Sequence, residues 1–415
     1  MIGRITILGG SSVYIPEFVL SLIGRNLNVQ EIVLLGRPGR KLELVTQFCQ
    51  RLLDKSGYPV RMIACTDVQE ACKNAKYILN HIRVGGIEAR FRDETLPLKY
   101  DMIGDDTLGA GGFANALRTL PVVFSMFEDI QEVNQDATVI NLTNPMGILV
   151  EALSKHTQLR CIGVSDMPGV YIKKLAALLE LSPADIRVDY AGLYHMGWIQ
   201  DVKLDSRSRM SQVLELLDAS PDEEFDKDIV ELFRMIPTRN TSIYFHRGEV
   251  LKHQQSTSRF RAEILQEAEA RILALYDDPL LKDIPELTRQ RNAVWYEDAI
   301  LPLIDALEGK EKRELVLCVR NDHCIRDLPE DARVEVPVAV CSKKLQARPV
   351  GSLPGFLKGM FIAAKESDRL TIEAARHRSY EYALQALVIN PFVPSIQTAR
   401  KFLDRIIKDE KLELH

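Results

Sequence analysis

Three short stretches carry residue types that could do chemistry together. GVSDMP, Gly163 to Pro168, sets a hydroxyl (Ser165) and a carboxyl (Asp166) between an apolar strand-like run and a helical one. A carboxyl at a strand end can act as acid, base or oxygen ligand. The stretch therefore poses two alternatives, a metal-assisted site or one from which the metal chemistry has been removed. GGSSVYIPEF follows the first strand-like run directly. Its Gly9, Gly10, Ser11 and Ser12 form a turn whose backbone can approach a pyrophosphate, with a helix N-terminus to favour the charge. The strict GxGxxG is not met and a plain turn also needs glycine, but the place of this turn at the head of a βαβ unit favours a dinucleotide. Where an acidic residue would hold the adenosine ribose, EIVLLGRPGRK has Gly36 and Arg37, followed by Arg40 and Lys41. A 2′-phosphate would suit those cations, so NADP stands beside NAD; a solvated loop cation is the equal alternative.

The elements that must position these residues alternate in the first half of the chain. Strands are expected at Arg4 to Leu8, Glu31 to Leu35, Val60 to Ala64, Tyr77 to Asn80, Thr138 to Asn141 and Cys161 to Val164. Helices are expected at about Pro16 to Gly24, Lys41 to Ser56, Val68 to Asn74 and Gly111 to Val133. Such alternation implies a Rossmann-type, doubly wound, mostly parallel sheet. After about residue 170 long helical patterns are interrupted by strands at Tyr190 to Leu193, Trp198 to Lys203, Leu315 to Arg320 and Val334 to Val340. This reads as an α+β domain, giving a dinucleotide-binding domain over 1–170 and a substrate-binding and oligomerisation domain over 171–415. The acidic stretch Asp218 to Asp228 reads as a solvated helix start or loop. The tail from Thr371 to Leu412 reads as helical, with a break at NPFVP.

Bulk properties narrow the partners. A chain of 415 residues exceeds what one core usually supports. A net charge of -5 gives no reason to expect nucleic acid or an anionic membrane surface. The start of the chain reads at once as a strand, so no signal peptide is expected, and no apolar run reaches bilayer-spanning length. Seven scattered cysteines without a CxxC pair fit a reduced, cytoplasmic protein and not a disulfide framework or a structural zinc site. A small molecule is the expected partner.

Longer motifs then carry a resemblance. The stretch from Val84 to Pro121 (VGGIEARFRDETLPLKYDMIGDDTLGAGGFANALRTLP), with INLTNPMGILVEA, GVSDMP, YAGLYHMGW, RNAVWYEDAI and DLPEDARVEVP, resembles the family 4 glycoside hydrolases over nearly the whole chain. These are NAD-dependent phospho-glycosidases and α-glucosidases that do not use the two-carboxylate mechanism. The resemblance implies oxidation at sugar carbon 3, proton abstraction at carbon 2, elimination of the aglycone and addition of water, with a divalent cation polarising the enolate oxygen. It also implies a lactate/malate dehydrogenase-like architecture, an anionic and for example 6-phosphorylated glycoside as substrate, and a homodimer or homotetramer.

Residue by residue, the resemblance assigns Gly9, Gly10 and Ser11 to the dinucleotide phosphates and Arg90 to sugar or phosphate contact, its alternative being an exposed helix cation paired to Asp93 or Glu94. Asn144 matches a substrate- and cofactor-contacting asparagine, or else a turn former before proline. His195 matches a metal-ligand histidine, with substrate contact also implied. Tyr244 falls in the tyrosine-rich base segment, and Arg291 matches an arginine whose following glycines are here Asn292 and Ala293. Departures fall at the same places. Ser165 stands where the family has a metal-binding cysteine, and a neutral hydroxyl is a poor ligand for such ions beside a thiolate. Tyr194 stands where asparagine usually precedes the histidine, and Asn321-Asp322-His323 replaces an Asn-rich turn. Cys161 lies too far along its strand to substitute. The resemblance thus leaves manganese or another divalent metal open, and Asp166 available as a catalytic group. In the metal-free variant Asp166, Tyr194, His195 or a nearby arginine would stabilise the enolate. Two other readings keep part of this machinery: a sugar or hydroxy-acid dehydrogenase without bond cleavage, and a non-catalytic dinucleotide- or sugar-binding regulator.

Overall fold

The computed structural model describes residues 1–220, 222–291 and 293–415, with the side chains of all of these but Gln290. The first half runs β1 (Ile2–Leu8), α1 (Ile15–Gly24), β2 (Val29–Leu35), α2 (Arg40–Ser56), β3 (Arg61–Cys65), α3 (Val68–Cys72), β4 (Tyr77–Asn80), α4 (Gly86–Thr95), α5 (Gly109–Val133), β5 (Thr138–Asn141), α6 (Met146–His156), β6 (Arg160–Val164) and α7 (Met167–Leu178). These six strands are parallel and lie in the order 3-2-1-4-5-6. That is the doubly wound arrangement the alternation called for, in which ligands bind beyond the carboxyl ends of the strands where the order reverses, here between β1 and β4. Ile5, Ile7, Leu34, Ile78, Leu79, Val139 and Ile140 are almost wholly buried, as a sheet covered on both faces requires.

The second half adds β7 (Ile186–Leu193), β8 (Met196–Leu204), β9 (Arg207–Ser208), α8 (Met210–Ala219), α9 (Lys227–Phe233), β10 (Ile236–Pro237), α10 (Arg239–Phe245), α11 (Arg247–Ser256), α12 (Arg261–Tyr276), α13 (Leu301–Leu307), β11 (Arg313–Arg320), β12 (Arg333–Cys341) and β13 (Lys344–Ala347). It closes on three helices, α14 (Gly355–His377), α15 (Tyr380–Ile389) and α16 (Ile396–Glu410), so the expected helical tail with its break near NPFVP is present. The new strands extend the parallel sheet: β11 pairs antiparallel to β6, and β12, β7, β8 and β10 follow outward from it. Two elements bearing on the site were not anticipated, α4 and α6, both within motif-rich stretches whose glycine and proline content masks a helical period.

α14 is fastened to α6 through charge. Glu151 on α6 accepts from Lys365 (3.1 Å) and Arg369 (2.8 Å) of α14. Both Glu151 and Lys365 are almost fully buried. Asp368, one turn on, closes the group at 3.3 Å from Lys365. No helix among the described residues is long and apolar enough to cross a membrane.

Candidate active site

Four strand ends and one hairpin converge at the carboxyl edge of the parallel sheet. β4 and β5 are tied there by side chains: Asn80 Nδ2 donates to Asn141 Oδ1 at 2.7 Å, and Thr143 Oγ1 donates to the Asn80 carbonyl at 3.1 Å. These groups are buried and paired with one another, so the strand tips are held in one register.

The β1–α1 turn sits where β1 and β4 part. Gly9 has φ +87, and a Cβ there would lie 2.3 Å from the His81 carbonyl oxygen; one on Gly10 would lie 2.7 Å from Leu34 Cα. Only glycine fits, and the backbone is left bare toward the crevice. At the start of α1 the Ile15 and Glu17 amides bond to the Ser12 and Tyr14 carbonyls and Pro16 has no N–H, so among the described residues it is the Ser11 and Val13 amides of the preceding turn that are left for an anion. Ser11 adjoins Gly36 at the end of β2, which is the position of an adenosine ribose in such folds. Arg37 is exposed and forms no ion pair with a described residue, whereas Arg40 pairs with Asp277 and Lys41 with Glu269.

Arginines dominate the next layer. Arg83, beyond β4, pairs with Asp106 at 2.8 Å. Arg90 on α4 pairs with Glu94 at 2.6 Å and approaches Asp106 at 3.5 Å. Its expected partner Glu94 is thus present, but Arg90 is largely buried and not an exposed helix cation. Arg291 is a third cation, lying 4.8 Å over the Tyr14 ring and 5.1 Å over the Trp295 ring. It forms no ion pair among the described residues; its neighbour Asn292 lies outside them. Burial, then Arg83 and Arg90, bring its basicity down to about 10. Asp105, whose carboxylate accepts from the Thr107 and Leu108 amides, is pushed up to about 7 by burial and by Asp106. Asp106 is held well below the usual carboxylate range, because Arg90 and Arg83 outweigh its burial.

The β7–β8 hairpin turns tightly between Leu193 and Met196, which projects Tyr194 and His195 toward these arginines. His195 has φ +62 and stacks on Tyr194 at 4.1 Å. Asn240, on α10, lies 3.2 Å from His195 Nδ1 through its amide nitrogen; with that amide donating, the ring proton sits on Nε2. Burial lowers the imidazole to about 4, with Asp106 pulling upward and Arg90 downward, so the ring is neutral at pH 7. Tyr244 is one helical turn from Asn240, edge-on to Phe392 at 5.6 Å, with the Arg247 guanidinium 4.7 Å over its ring. A cavity of about 50 Å³ opens beside them, lined by Thr107, Pro145, Tyr194, Asp368 and Phe392 among others.

GVSDMP lies at the end of β6, with Asp166 as the N-cap of α7 but making no capping bond. Burial raises the Asp166 carboxyl, Asp298 adds to this, and Arg291 opposes it. Asn144 leaves Oδ1 buried without a protein partner, a polar atom awaiting a ligand or water.

The carboxyl edge thus gathers Gly9 to Ser12, Arg90, Asn144, Ser165, Asp166, His195 and Arg291, with Tyr244 on α10 at its rim, while Arg37 stands apart at the ribose end. Four contributors escaped the sequence reading: His81, Arg83, Asp106 and Asn240. His81 is half-buried, its Nδ1 lies 3.2 Å from the Tyr296 hydroxyl, and desolvation, with Arg291 and Arg83 adding to it, brings the ring down to about 3. The signal was available in part, since Asp106 lies inside the quoted Val84 to Pro121 region and Arg83 immediately precedes it. Asn240 had no signal, because its pairing with His195 spans 45 residues.

Fit to two groups can be tested on these atoms. The Gly9–Gly10 cradle, the Ser11 and Val13 amides and the orphaned Asn144 oxygen fit a dinucleotide. A divalent cation fits poorly. Ser165 offers a hydroxyl that accepts from the Met167 amide at 3.3 Å. His195 Nδ1 is engaged by Asn240. Cys161 points into an apolar cluster with Met146, Val150 and Cys318, its thiol pushed to about 12 by burial. Among the described residues no group of three His, Cys, Asp or Glu side chains could hold an ion.

Comparison with known proteins agrees with this geometry. Residues 4–181 match the description "Family 4 glycosyl hydrolase" and residues 190–393 its "C-terminal domain". The chain is 32% identical to a probable 6-phospho-beta-glucosidase of Bacillus subtilis, over 99% of this chain and 97% of that one. A solved 6-phospho-beta glucosidase of Thermotoga maritima, with NAD and glucose-6-phosphate, superimposes with a TM-score of 0.92 at 29% identity, covering 99% and 100% of the two chains. A further form of that enzyme contains manganese as well, with a TM-score of 0.91 at 29% identity over the same shares. The malate dehydrogenase of Cryptosporidium parvum shares the fold alone, with a TM-score of 0.52 at 15% identity, over 91% of this chain and all of that one.

Proposed function

The chain belongs to family 4 of the glycoside hydrolases, and from that premise we propose that it cleaves 6-phosphorylated β-glucosides by oxidation and elimination, with NAD as a resident cofactor. The observation that carries the substrate class is Arg291: a half-buried guanidinium with no carboxylate partner among the described residues, beside Arg83 and Arg90 at the strand ends. Burying a cation unpaired is costly unless an anion completes the site, and a sugar phosphate does so.

NAD, when bound, takes a hydride from sugar carbon 3 and returns it at the end, so none is consumed. Gly9, Gly10, Ser11 and Ser12 hold the pyrophosphate, and Asn144 contacts cofactor and sugar. Arg37 with Gly36 admits NADP as well, since no carboxylate at the end of β2 opposes a 2′-phosphate. Arg90 and Arg291 clamp the substrate, and His195 hydrogen-bonds its hydroxyls. Tyr244 is the base at carbon 2, with the Arg247 guanidinium 4.7 Å over its ring. Asp166, whose carboxyl burial raises, gives a proton to the departing oxygen.

In the same reading residues 1–170 bind the dinucleotide and residues 171–415 shape the sugar pocket and subunit contacts. The enzyme is cytoplasmic and a homodimer or homotetramer, which exposed Val388, Ile389 and Ile396 support. The test is an assay of purified protein on α- and β-linked nitrophenyl glucosides, with and without the 6-phosphate, and with NAD or NADP. Cleavage of the phosphorylated β-glucoside with catalytic NAD is expected. Accumulation of reduced cofactor in step with substrate lost would instead mean a dehydrogenase.

A further inference from the structure

Relatives of this chain are known with manganese, and the atoms at the corresponding place here are of another kind. Four observations bear on the difference. The Ser165 side chain is neutral and its oxygen already accepts from the Met167 amide. His195 Nδ1 lies 3.2 Å from the Asn240 amide nitrogen, and with that amide donating the ring proton sits on Nε2 in place of a lone pair. Cys161, the nearest thiol along the strand, is half-buried and packs against the apolar side chains of Met146, Val150 and Cys318. Finally, Arg83, Arg90 and Arg291 crowd the same edge, with Asp106 and Glu94 as the carboxylates paired there. A dication brought among them would meet three guanidinium charges, while Asp106 and Glu94 are already paired to those cations and burial raises the Asp166 carboxyl. The edge is built to receive negative charge, and it supplies the positive charge from the protein.

We propose that this enzyme carries out its elimination without a divalent cation, and that the electrophile at the oxidised carbon is His195 Nε2–H, backed by the Arg90 guanidinium and aimed by Asn240. The inference rests on the oxidation-elimination reading above. Once carbon 3 is a ketone, the C2–H bond breaks and its proton passes to the Tyr244 oxygen. The electron pair enters the C2–C3 bond, and the carbonyl oxygen takes up negative charge, which the Nε2–H hydrogen bond and Arg90 hold. When the enolate collapses, the C1–O bond breaks, its pair leaves on the aglycone oxygen, and Asp166 protonates that oxygen. A neutral imidazole polarising a carbonyl is a known device. Asn240 is here a positioning residue, since it acts through His195.

The test combines metal binding with exchange chemistry. Protein stripped with chelator is titrated against Mn²⁺ alone, and free Mn²⁺ is followed by its electron paramagnetic resonance signal. The same protein is assayed in D₂O for deuterium entry at carbon 2, with chelator and with added Mn²⁺. The expected results are no stoichiometric Mn²⁺ binding below millimolar concentration, and exchange unchanged within twofold by chelator or Mn²⁺. Ser165→Cys should gain Mn²⁺ binding. His195→Asn should slow exchange by on the order of 100-fold or more without rescue by Mn²⁺, and Asn240→Ala should lower kcat with KM little changed. Tight Mn²⁺ binding by the wild type, or a tenfold loss with chelator that Mn²⁺ restores, overturns the proposal. If no glycoside is turned over under any condition, the oxidation-elimination reading fails, and the Mn²⁺ titration still decides whether the edge holds a cation.

Discussion

At the scale of single residues, the decisive groups are those whose charge the fold leaves unbalanced. Arg291→Met removes the cation that lacks a carboxylate partner. It is expected to raise KM for a 6-phosphorylated glucoside by on the order of 50-fold, the equivalent of a lost charge-assisted hydrogen bond, while barely touching the unphosphorylated one; steady-state kinetics on the pair of substrates checks this. Asp166 makes a prediction about pH. Its carboxyl is raised chiefly by burial, so the protonated acid persists above the usual carboxylate range and activity should fall as pH rises through that raised value. Asp166→Asn should abolish this alkaline limb and slow poor leaving groups far more than nitrophenol. Residue type and turn position drew attention to Gly9, Ser165 and Asp166, and the family resemblance to Arg291. Nothing local pointed to Asn240, whose pairing with His195 exists only through folding.

At the scale of elements, the strands were legible and the cross-links between them were not. β1 to β6 announce themselves by short β-branched runs, whereas their order, 3-2-1-4-5-6, is seen only in the folded sheet, since right-handed crossovers allow more than one. α4 and α6 were missed because glycine and proline at their starts look like loop signals. Glu335 on β12 shows what pairing hides: it is almost fully buried, accepts from the Tyr190 hydroxyl at 3.3 Å, has one oxygen unpartnered, and is pushed up to about 7 by burial. Its folded value lies above the unfolded one, so the stability it permits is complete at low pH and is lost as pH rises from about 4.5 toward 7. Glu335→Gln should remove this loss, gaining up to about 3 kcal/mol over the wild type at pH 8 and nothing at pH 4 in urea unfolding.

At the scale of the whole molecule, the continuous sheet binds the two halves more closely than their separate tasks suggest. β6, the last parallel strand, pairs with β11 through Val164 with Leu317 and Gly163 with Cys318. The buried Glu151–Lys365 pair ties α6 to α14 across the same divide. Calorimetry of the full chain should therefore show one cooperative transition. A fragment ending at residue 170 should bind hydrophobic dye and lack near-ultraviolet dichroism, because Ile162 and Val164 lose the strand that covers them. Two separate transitions would mean that the halves fold independently. The change from alternating β and α to mixed elements near residue 170 was visible in the sequence; that both parts share one sheet was not, since strand pairing at a separation of some 150 residues leaves no local pattern.

The account stands or falls on oxidation and elimination at the sugar, and the most direct measurement follows the hydrogen at carbon 2. Cleavage of a 6-phosphorylated β-glucoside in D₂O with catalytic NAD should give glucose 6-phosphate carrying one solvent deuterium at carbon 2, with no build-up of reduced cofactor. Product released with its original hydrogen at carbon 2 would contradict the mechanism outright.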